Sequence, residues 1–345
     1  RFPKRNLVMS QRFQLGVIGL VHDHIWHELS EWRATGRVEL AAVSEARPDL
    51  RKRAHDEFGA ERVFENTQDM LDACRLDIVQ VCTSNAESAN AVVAAAERGI
   101  HAVVEKPMSA TLEQADRMFA ASQQHATQLL INWPFRWRVP TLHAWELVLA
   151  GEIGDIFNSH IRMAHKGPRE FGCSDVFCDW LYDPIQNGGG ALIDYCSYGA
   201  VAFRYLFGMP DSVQAVCGNW TKTDIGVEDN AAITLLYPQR HVVTEASWSQ
   251  IPSYHDSIYY GTKGTLWTDS GQLKLGRSEG DPTEVPVPAL PEGFRSGPET
   301  MLTCLDREIE PPDVCSPRVA RDAQEILQAG LHAAQSGVRT KLPWV

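Results

Sequence analysis

Residues 78–107, IVQVCTSNAESANAVVAAAERGIHAVVEKP, contain a strand, a helix and a second strand in close succession. The apolar run 78–83 is short and predicts a buried strand, and so does the run 100–104. Residues 88–98, between these two runs, predict a helix. A strand–helix–strand unit of this kind places its two strands side by side and parallel in one sheet.

The same alternation continues on both sides of this unit, from residue 13 to about residue 130. Thr111, with Gln114 three positions later, forms a capping box that opens one of the helices. Strands that alternate with helices indicate a parallel sheet covered on both faces, so we predict an α/β domain over residues 9–131. Its other predicted strands are 13–20, 38–44, a short one at 62–64, and 128–131, and its other helices are 24–35, 48–58 and 111–124.

The pattern changes from about residue 132. Short runs in which apolar and polar residues alternate predict an antiparallel sheet with one face on a core. A long helix at 191–207 ends at Gly208, and a last helix at 317–336 follows Ser316 as N-cap and Pro317. We therefore predict a second, α+β domain over residues 132–345, with a loop at 278–298 and the last helix free to pack back on the first domain.

The composition limits the partners and the location of the protein. The chain has 345 residues and a formal net charge of −12, without a Lys/Arg run, so we expect no nucleic-acid partner. No apolar stretch reaches the roughly 18 residues of a membrane span. Residues 1–8 lack the apolar region of a secretory signal, and Met9 is a candidate natural start. Eight scattered cysteines without a CxxC pair are typical of free thiols in a reducing compartment, so we expect a cytoplasmic protein.

The turn after the first strand is a candidate phosphate-binding turn. A strand, a glycine turn and a helix commonly cradle a dinucleotide pyrophosphate. Against the pattern G-x-G-x-x-G, only Gly19 is present, while Val21 and His24 occupy the other two glycine positions. Val21 predicts a displaced or weaker phosphate contact. Glu45, at the end of the next strand, can accept hydrogen bonds from ribose hydroxyls and favours NAD, while the nearby Arg47 leaves NADP open.

Three histidines, His22, His24 and His27, cluster at the start of the first helix. We expect them to donate hydrogen bonds to a phosphate or to remain half-exposed. No cysteine or carboxylate lies at a suitable spacing for a shared metal ion, and Cys173 and Cys178 lack a second pair. We therefore expect no metal site.

Lys106 and the segment 188–198 are the candidates for the chemistry. Lys106 follows a buried strand, at the edge where open α/β sheets bind ligands. Three glycines precede a helix on which Asp194 and Tyr198, four residues apart, share one face. An ammonium, a carboxylate and a phenol can move a proton on and off an alcohol oxygen. We predict that Lys106 lowers the pKa of Tyr198 toward working pH. The alternatives are a surface lysine, a helix cap and an ordinary half-buried tyrosine.

Two segments resemble the signatures of a known family. Glu105-Lys106-Pro107 and the run 188–194, GGGALID, are similar to the two signatures of the Gfo/Idh/MocA oxidoreductases. The resemblance implies an N-terminal Rossmann domain and a C-terminal α+β domain whose open antiparallel sheet forms homodimers or homotetramers. It also implies NAD(P)-dependent redox chemistry at the CH–OH group of a sugar, cyclitol or related polyol. Further similar segments are 83–85, 132–136, 151–154 and 261–265.

The resemblance also implies a set of site residues. Tyr198 occupies the usual place of a histidine, which is similar to the glucose–fructose oxidoreductase and dihydrodiol dehydrogenase branches. The catalytic group is then Lys106, Asp194 and Tyr198. The expected substrate contacts are His165, Lys166 and Trp180. The expected cofactor contacts are Gly19, Val21, His22, His24, Glu45, Thr83, Ser84, Asn85, Glu105, Lys106, Asn132 and Arg136.

Two other functions remain open at this point. Relatives exist that hold NAD and use transient oxidation to eliminate a leaving group, so an NAD-assisted glycoside hydrolase or lyase is one alternative. The altered turn at 19–24 supports the other, a non-catalytic binding or sensor protein that kept the fold and lost the cofactor.

Overall fold

The computed structural model describes residues 12–269 and 271–344, so the candidate start at Met9 and the segment 1–8 lie outside the described residues. The strands are β1 (Phe13–Ile18), β2 (Val38–Ser44), β3 (Val63–Phe64), β4 (Ile78–Val81), β5 (His101–Glu105), β6 (Leu129–Asn132), β7 (Ile156–Ala164), β8 (Ser212–Gly218), β9 (Asn230–Tyr237), β10 (Arg240–Ser247), β11 (Tyr254–Gly261), β12 (Gly264–Asp269), β13 (Gln272–Gly276), β14 (Thr283–Glu284) and β15 (Thr340–Lys341). The α-helices are α1 (Ile25–Ala34), α2 (Pro48–Phe58), α3 (Thr67–Ala73), α4 (Ser88–Ala96), α5 (Leu112–Gln124), α6 (Val139–Leu149), α7 (Pro168–Phe171), α8 (Asp175–Leu181), α9 (Pro184–Asn187), α10 (Ala191–Phe207), α11 (Gly297–Arg307) and α12 (Pro317–Ser336).

The first sheet has six parallel strands in the order β3-β2-β1-β4-β5-β6. This is the strand order of a Rossmann domain: strands are added on one side of β1 up to β3 and on its other side from β4 onward, so the topological switch point lies between β1 and β4. The carboxyl ends of β1, β2, β4 and β5 therefore meet at one edge, where the connections after each strand can line a common cleft.

Local sequence signals account for most elements of this domain. The capping box at the start of α5 is confirmed: the Thr111 hydroxyl accepts from the backbone N–H of Gln114, and the Gln114 side-chain oxygen accepts from the backbone N–H of Thr111. Helix α3 was not predicted. It begins at Asn66, whose side-chain oxygen accepts from the backbone N–H of Asp69 at 2.8 Å.

The second sheet has nine strands in the order β14-β13-β12-β11-β7-β10-β9-β8-β15. The prediction of an antiparallel sheet is wrong at one place, because β7 and β10 pair in parallel. Parallel neighbours require a long connection, and residues 165–239 supply it. The sheet is therefore mixed, and helix α10 packs on one of its faces.

Helix α12 joins the two halves of the molecule. Its Gln328 accepts from the backbone N–H of Leu112 at 3.1 Å, and its Arg321 donates to Asp116 of α5 at 2.6 Å. Ser316 precedes the helix without a side-chain capping bond, contrary to prediction, and Pro317 occupies the first turn.

Helix α11 was also not predicted, and its first residues fall in the segment assigned to a loop. The Ser296 hydroxyl caps it by accepting from the backbone N–H of Glu299. In the part of the chain that the structure describes, every helix is too short or too polar to cross a bilayer.

Candidate active site

Lys106 and Asp194 form a buried ion pair at the edge of the first sheet. Lys106 directly follows β5, and Asp194 lies in the first turn of α10. Their side chains are only 5% and 8% exposed and form a direct hydrogen bond. The Trp248 indole donates to the second carboxylate oxygen of Asp194 at 3.1 Å. The structure therefore brings these two predicted site residues together.

Glu228, which the sequence analysis did not select, leaves Asp194 available for this pair. Its carboxylate accepts from the backbone N–H groups of Gly190 and Leu192 at 2.7 and 3.0 Å, and its carbonyl accepts from Ala191 at 2.9 Å. These donors belong to the start of α10, so Glu228 performs the capping that was the alternative role of Asp194.

Gly188 allows the close approach that positions α10. Its φ is +89°, and a Cβ atom there would lie 2.1 Å from the carbonyl oxygen of Ala110. A side chain at this position is excluded both by the backbone conformation and by the neighbouring segment after β5. The glycine run thus holds the start of α10 against the segment that carries Lys106.

Tyr198 is buried beside the ion pair. The Lys106 ammonium lies 5.0 Å from the centroid of its ring, and the ring packs edge-on against Phe135 and Trp133. Burial raises the pKa of Tyr198 well above its ordinary value, and the negative charge of Asp194 raises it further. The prediction that Lys106 lowers this pKa is therefore wrong, because burial dominates and Asp194 already neutralises the ammonium. At neutral pH Tyr198 is a proton donor.

Tyr195 is a further candidate that the sequence analysis missed. Its ring centroid lies 5.6 Å from the Lys106 ammonium, 4.8 Å from the His165 ring and 6.1 Å from the His255 ring. It is three residues before Tyr198 on α10, so the helical spacing could have identified it. Burial lowers the pKa of His165 and lowers that of His255 to about 4, so both imidazoles are neutral at pH 7. This side of the site offers neutral donors and acceptors suited to hydroxyl groups.

The turn after β1 lies at the same edge of the sheet. Gly19 has a φ of +78°, and a Cβ atom there would lie 2.6 Å from the Thr83 methyl carbon. The Glu45 carboxylate is buried and accepts from the backbone N–H groups of Leu20 and Arg47 at 2.7 and 2.8 Å. A glycine turn at the topological switch point, with a carboxylate at the end of β2, fits the ribose and phosphates of a dinucleotide. The Val21 and His24 positions remain departures from the usual glycine pattern.

Helix α8 of the second half packs over this turn. The Trp180 indole donates to the carbonyl of Val21 at 3.1 Å, and Phe177 packs edge-on against His22 at 4.8 Å. Asp23 accepts from the backbone and the hydroxyl of Ser174, each at 2.7 Å. Trp180 therefore contacts the cofactor turn, rather than the substrate side where the sequence analysis placed it. The Asp23 carboxylate is thus directed toward Ser174.

Ser84 and Asn85, expected at the cofactor, join the two halves of the molecule. The Ser84 hydroxyl donates to the Gln186 side chain at 2.6 Å, and the Asn85 amide donates to the Asn187 side chain at 2.8 Å. These contacts fix the segment before the glycine run against the end of β4. The side chains of Ser84 and Asn85 therefore position the start of α10.

Arg136 is bonded outside the site, and Lys166 is exposed beside it. Arg136 is buried and donates to Asp313 at 3.0 Å and to the carbonyl of Phe294 at 3.3 Å. Its guanidinium is therefore paired with the C-terminal part of the chain. This arrangement corrects its assignment to the cofactor. Lys166 is exposed next to the buried His165.

A buried pair of carboxyl groups lies behind Lys106. Asn132 donates to Glu28 at 2.7 Å and to Glu105 at 2.6 Å, and Nδ1 of His24 lies 2.9 Å from the other oxygen of Glu105. Burial and the charge of Glu105 raise the pKa of Glu28 well above its ordinary value. Burial opposes ionisation of Glu105 as well, but the hydrogen bond from Glu28 and the charge of His24 outweigh it and lower its pKa. Glu28 therefore holds the proton and Glu105 the charge.

Two family models match the chain in succession. Residues 13–133 match the model described as "Oxidoreductase family, NAD-binding Rossmann fold", and residues 141–267 match the "GFO/IDH/MocA C-terminal domain". Together the two models cover more than two thirds of the 345 residues. The N-terminal domain is thus an NAD-binding Rossmann domain.

Curated relatives and solved structures agree with these models. D-glucoside 3-dehydrogenase of Escherichia coli is 26% identical over 68% of this chain and 62% of its own length. D-apiose dehydrogenase of Paraburkholderia graminis is 30% identical over 38% of this chain and 35% of its own length. The chain thus spans between about a third and two thirds of these curated relatives.

Two solved structures share the fold over nearly the whole chain. A levoglucosan dehydrogenase in complex with NADH and levoglucosan superposes with a TM-score of 0.84 at 19% identity, covering 97% of this chain and 100% of that one. The WlbA dehydrogenase of Bordetella pertussis, in complex with NADH and UDP-GlcNAcA, gives 0.83 at 20% identity, covering 97% and 99%. Because the two family models match most of the chain in succession, the chain belongs to the Gfo/Idh/MocA family of oxidoreductases.

Proposed function

We propose that the protein is an NAD-dependent oxidoreductase acting on the CH–OH group of a sugar, cyclitol or related polyol. The observation that carries this proposal is the buried Lys106–Asp194 pair with two tyrosines beside it, at the sheet edge that also holds the Gly19 turn. Relatives named D-glucoside 3-dehydrogenase and myo-inositol 2-dehydrogenase support the substrate class.

The cofactor contacts that we propose centre on the turn 19–24. Glu45 lies where it can accept from the ribose hydroxyls, and its charge disfavours a 2′-phosphate, so NAD is preferred over NADP. Gly19, Val21, His22, His24 and Thr83 complete the set around the phosphates. When bound, NAD supplies the hydride acceptor or donor at its nicotinamide ring.

Lys106 and Tyr198 are the groups that we propose to act on the substrate oxygen. The Lys106 ammonium, oriented by Asp194, donates a hydrogen bond to that oxygen and stabilises the negative charge that develops on it. Tyr198, protonated at neutral pH, gives its proton to the carbonyl oxygen during reduction. In the reverse direction the phenolate form of Tyr198 takes that proton from the alcohol as the hydride leaves. Tyr195 and His165 bind neighbouring hydroxyl groups.

Turnover measurements with matched variants test this proposal. Purified protein is incubated with NAD and a panel of sugars and cyclitols, and the absorbance of reduced nicotinamide is followed. Lys106→Met should lower kcat by about 1,000-fold or more, while Lys52→Met, a surface lysine in an exposed pair, should leave it unchanged. Product release without net NADH would instead support the hydrolase or lyase function. No thermal shift with millimolar NAD would support the sensor.

We also propose that the protein forms homodimers or homotetramers through the second sheet. Val242 and Tyr259 are buried on the face covered by helices, so the alternation of a strand places Val243, Ile258 and Tyr260 on the opposite face. An Ile258→Lys variant should shift the mass measured by light scattering toward the monomer. An unchanged mass would place the contact elsewhere.

A cytoplasmic location is the remaining proposal. All eight cysteines are free thiols, and six of them are buried. Cell fractionation tests this, and recovery of the protein from an oxidising compartment would contradict it.

A further inference from the structure

His22, His24 and Glu105 bring three potential metal ligands together. One ring nitrogen of each histidine and one carboxylate oxygen of Glu105 all lie within 4.8 Å of one another. We expected no metal site from the sequence, because no cysteine or carboxylate lies at a suitable spacing from the histidines along the chain. The fold supplies one from the end of β5, more than eighty positions away.

We propose that these three residues form a binding site for a divalent transition-metal ion of the zinc type. Imidazole nitrogens and a carboxylate oxygen bind such ions at about 2.0–2.2 Å, which places tetrahedral ligands about 3.3 Å apart. His24 Nδ1 and Glu105 Oε2 are 2.9 Å apart, so they need only a small opening. The third ligand atom, from His22, lies within 4.8 Å of the other two, so it must move closer to them when an ion binds.

The surroundings of these residues favour a fixed carboxylate ligand. Asn132 donates to the other oxygen of Glu105 at 2.6 Å, which directs Oε2 toward His24. Partners of this kind orient metal ligands and typically contribute 10- to 100-fold to affinity, as an order of magnitude.

The histidines differ in exposure, which gives an ion both a ligand and a route of entry. His22 is buried and its ring packs against Phe177, with 4.8 Å between the ring centroids, so it offers a ligand shielded from solvent. The His24 side chain is 42% exposed, so the ion can arrive from solvent and keep its remaining positions for water.

This inference does not rest on the proposed oxidoreductase function, and its test is made without NAD or substrate. Protein stripped with a chelator is titrated with ZnCl₂ in a calorimeter, and its Co²⁺ form is examined by visible absorption. We expect one ion per chain and a tetrahedral Co²⁺ spectrum. His24→Ala and Glu105→Gln should each weaken binding by about 100-fold or more.

His27→Ala is the matched control. His27 is three positions further along the chain, and its side chain is 79% exposed and contacts Glu31 instead of Glu105. The His27→Ala variant should bind zinc as the wild type does. Circular dichroism should show that all three variants are folded. The proposal is overturned if the wild type binds no zinc below millimolar concentration, if His24→Ala binds it unchanged, or if His27→Ala loses it equally.

Discussion

The buried Lys106–Asp194 pair can be tested for its effects on the free energy of unfolding and on turnover. With side chains 5% and 8% exposed, neither charge can be solvated if its partner is removed. Removal of one member of a buried pair typically destabilises a protein by about 3–5 kcal/mol. Asp194→Asn keeps an acceptor for the Trp248 indole, so its cost isolates the lost charge. We expect Asp194→Asn and Lys106→Met each to lower the free energy of unfolding by that amount.

The double variant separates stability from function. With both charges gone, Lys106→Met combined with Asp194→Asn should cost less than the sum of the single changes by about 2 kcal/mol or more. Its turnover should remain as low as that of Lys106→Met. Urea denaturation followed by tryptophan fluorescence measures the first quantity. Asp56→Asn, in an exposed pair with Lys52, is the control and should cost less than about 0.5 kcal/mol. The reasoning is refuted if Asp194→Asn costs no more than this control.

Three further predictions follow from single positions. Gly188→Ala, whose Cβ would lie 2.1 Å from the Ala110 carbonyl oxygen, should cost about 2 kcal/mol more than Gly99→Ala, which has a similar positive φ in open space; equal urea midpoints would contradict this. Tyr198→Phe should lower kcat by about 100-fold or more with the dissociation constant for NAD unchanged, and full turnover would remove Tyr198 from the mechanism. Because burial raises the pKa of Glu28, the folded protein retains a proton that the unfolded chain releases above about pH 4.3, so this residue contributes less stability as pH rises. Glu28→Gln should therefore gain stability relative to the wild type between about pH 4 and about pH 7, as compared by urea midpoints, and a constant difference would contradict the assigned proton.

Elements with strong local signals could be predicted from the sequence. Helix α10 has the predicted bounds because Gly190 and Gly208 mark its two ends. The parallel first sheet could be predicted because a helix follows each of its strands except the last. Such a helix returns the chain to the edge of the sheet where the previous strand began, so the next strand runs in the same direction. The parallel pairing of β7 with β10 could not be predicted, because it depends on how the long connection of residues 165–239 returns the chain to the sheet.

The candidate site was predictable only where strand ends and helix faces determine it. Lys106 follows a buried strand and Asp194 opens a helix after a glycine run, so their meeting follows from the fold. Glu228 binds the start of α10 and Trp248 donates to Asp194, but both come from distant parts of the chain and carry no local signal. Arg136 was misassigned for the same reason, because its partner Asp313 is distant in sequence.

The most direct test of the central claim is a crystal structure of the protein with NAD. We predict that the nicotinamide ring lies beside Lys106 and Tyr198, leaving room for a substrate carbon about 3–3.5 Å from its reactive carbon. We further predict that the Lys106 ammonium and the Tyr198 hydroxyl both reach the oxygen of that substrate. A nicotinamide ring bound away from these two groups, or a dinucleotide that does not occupy the Gly19 turn, would contradict the account.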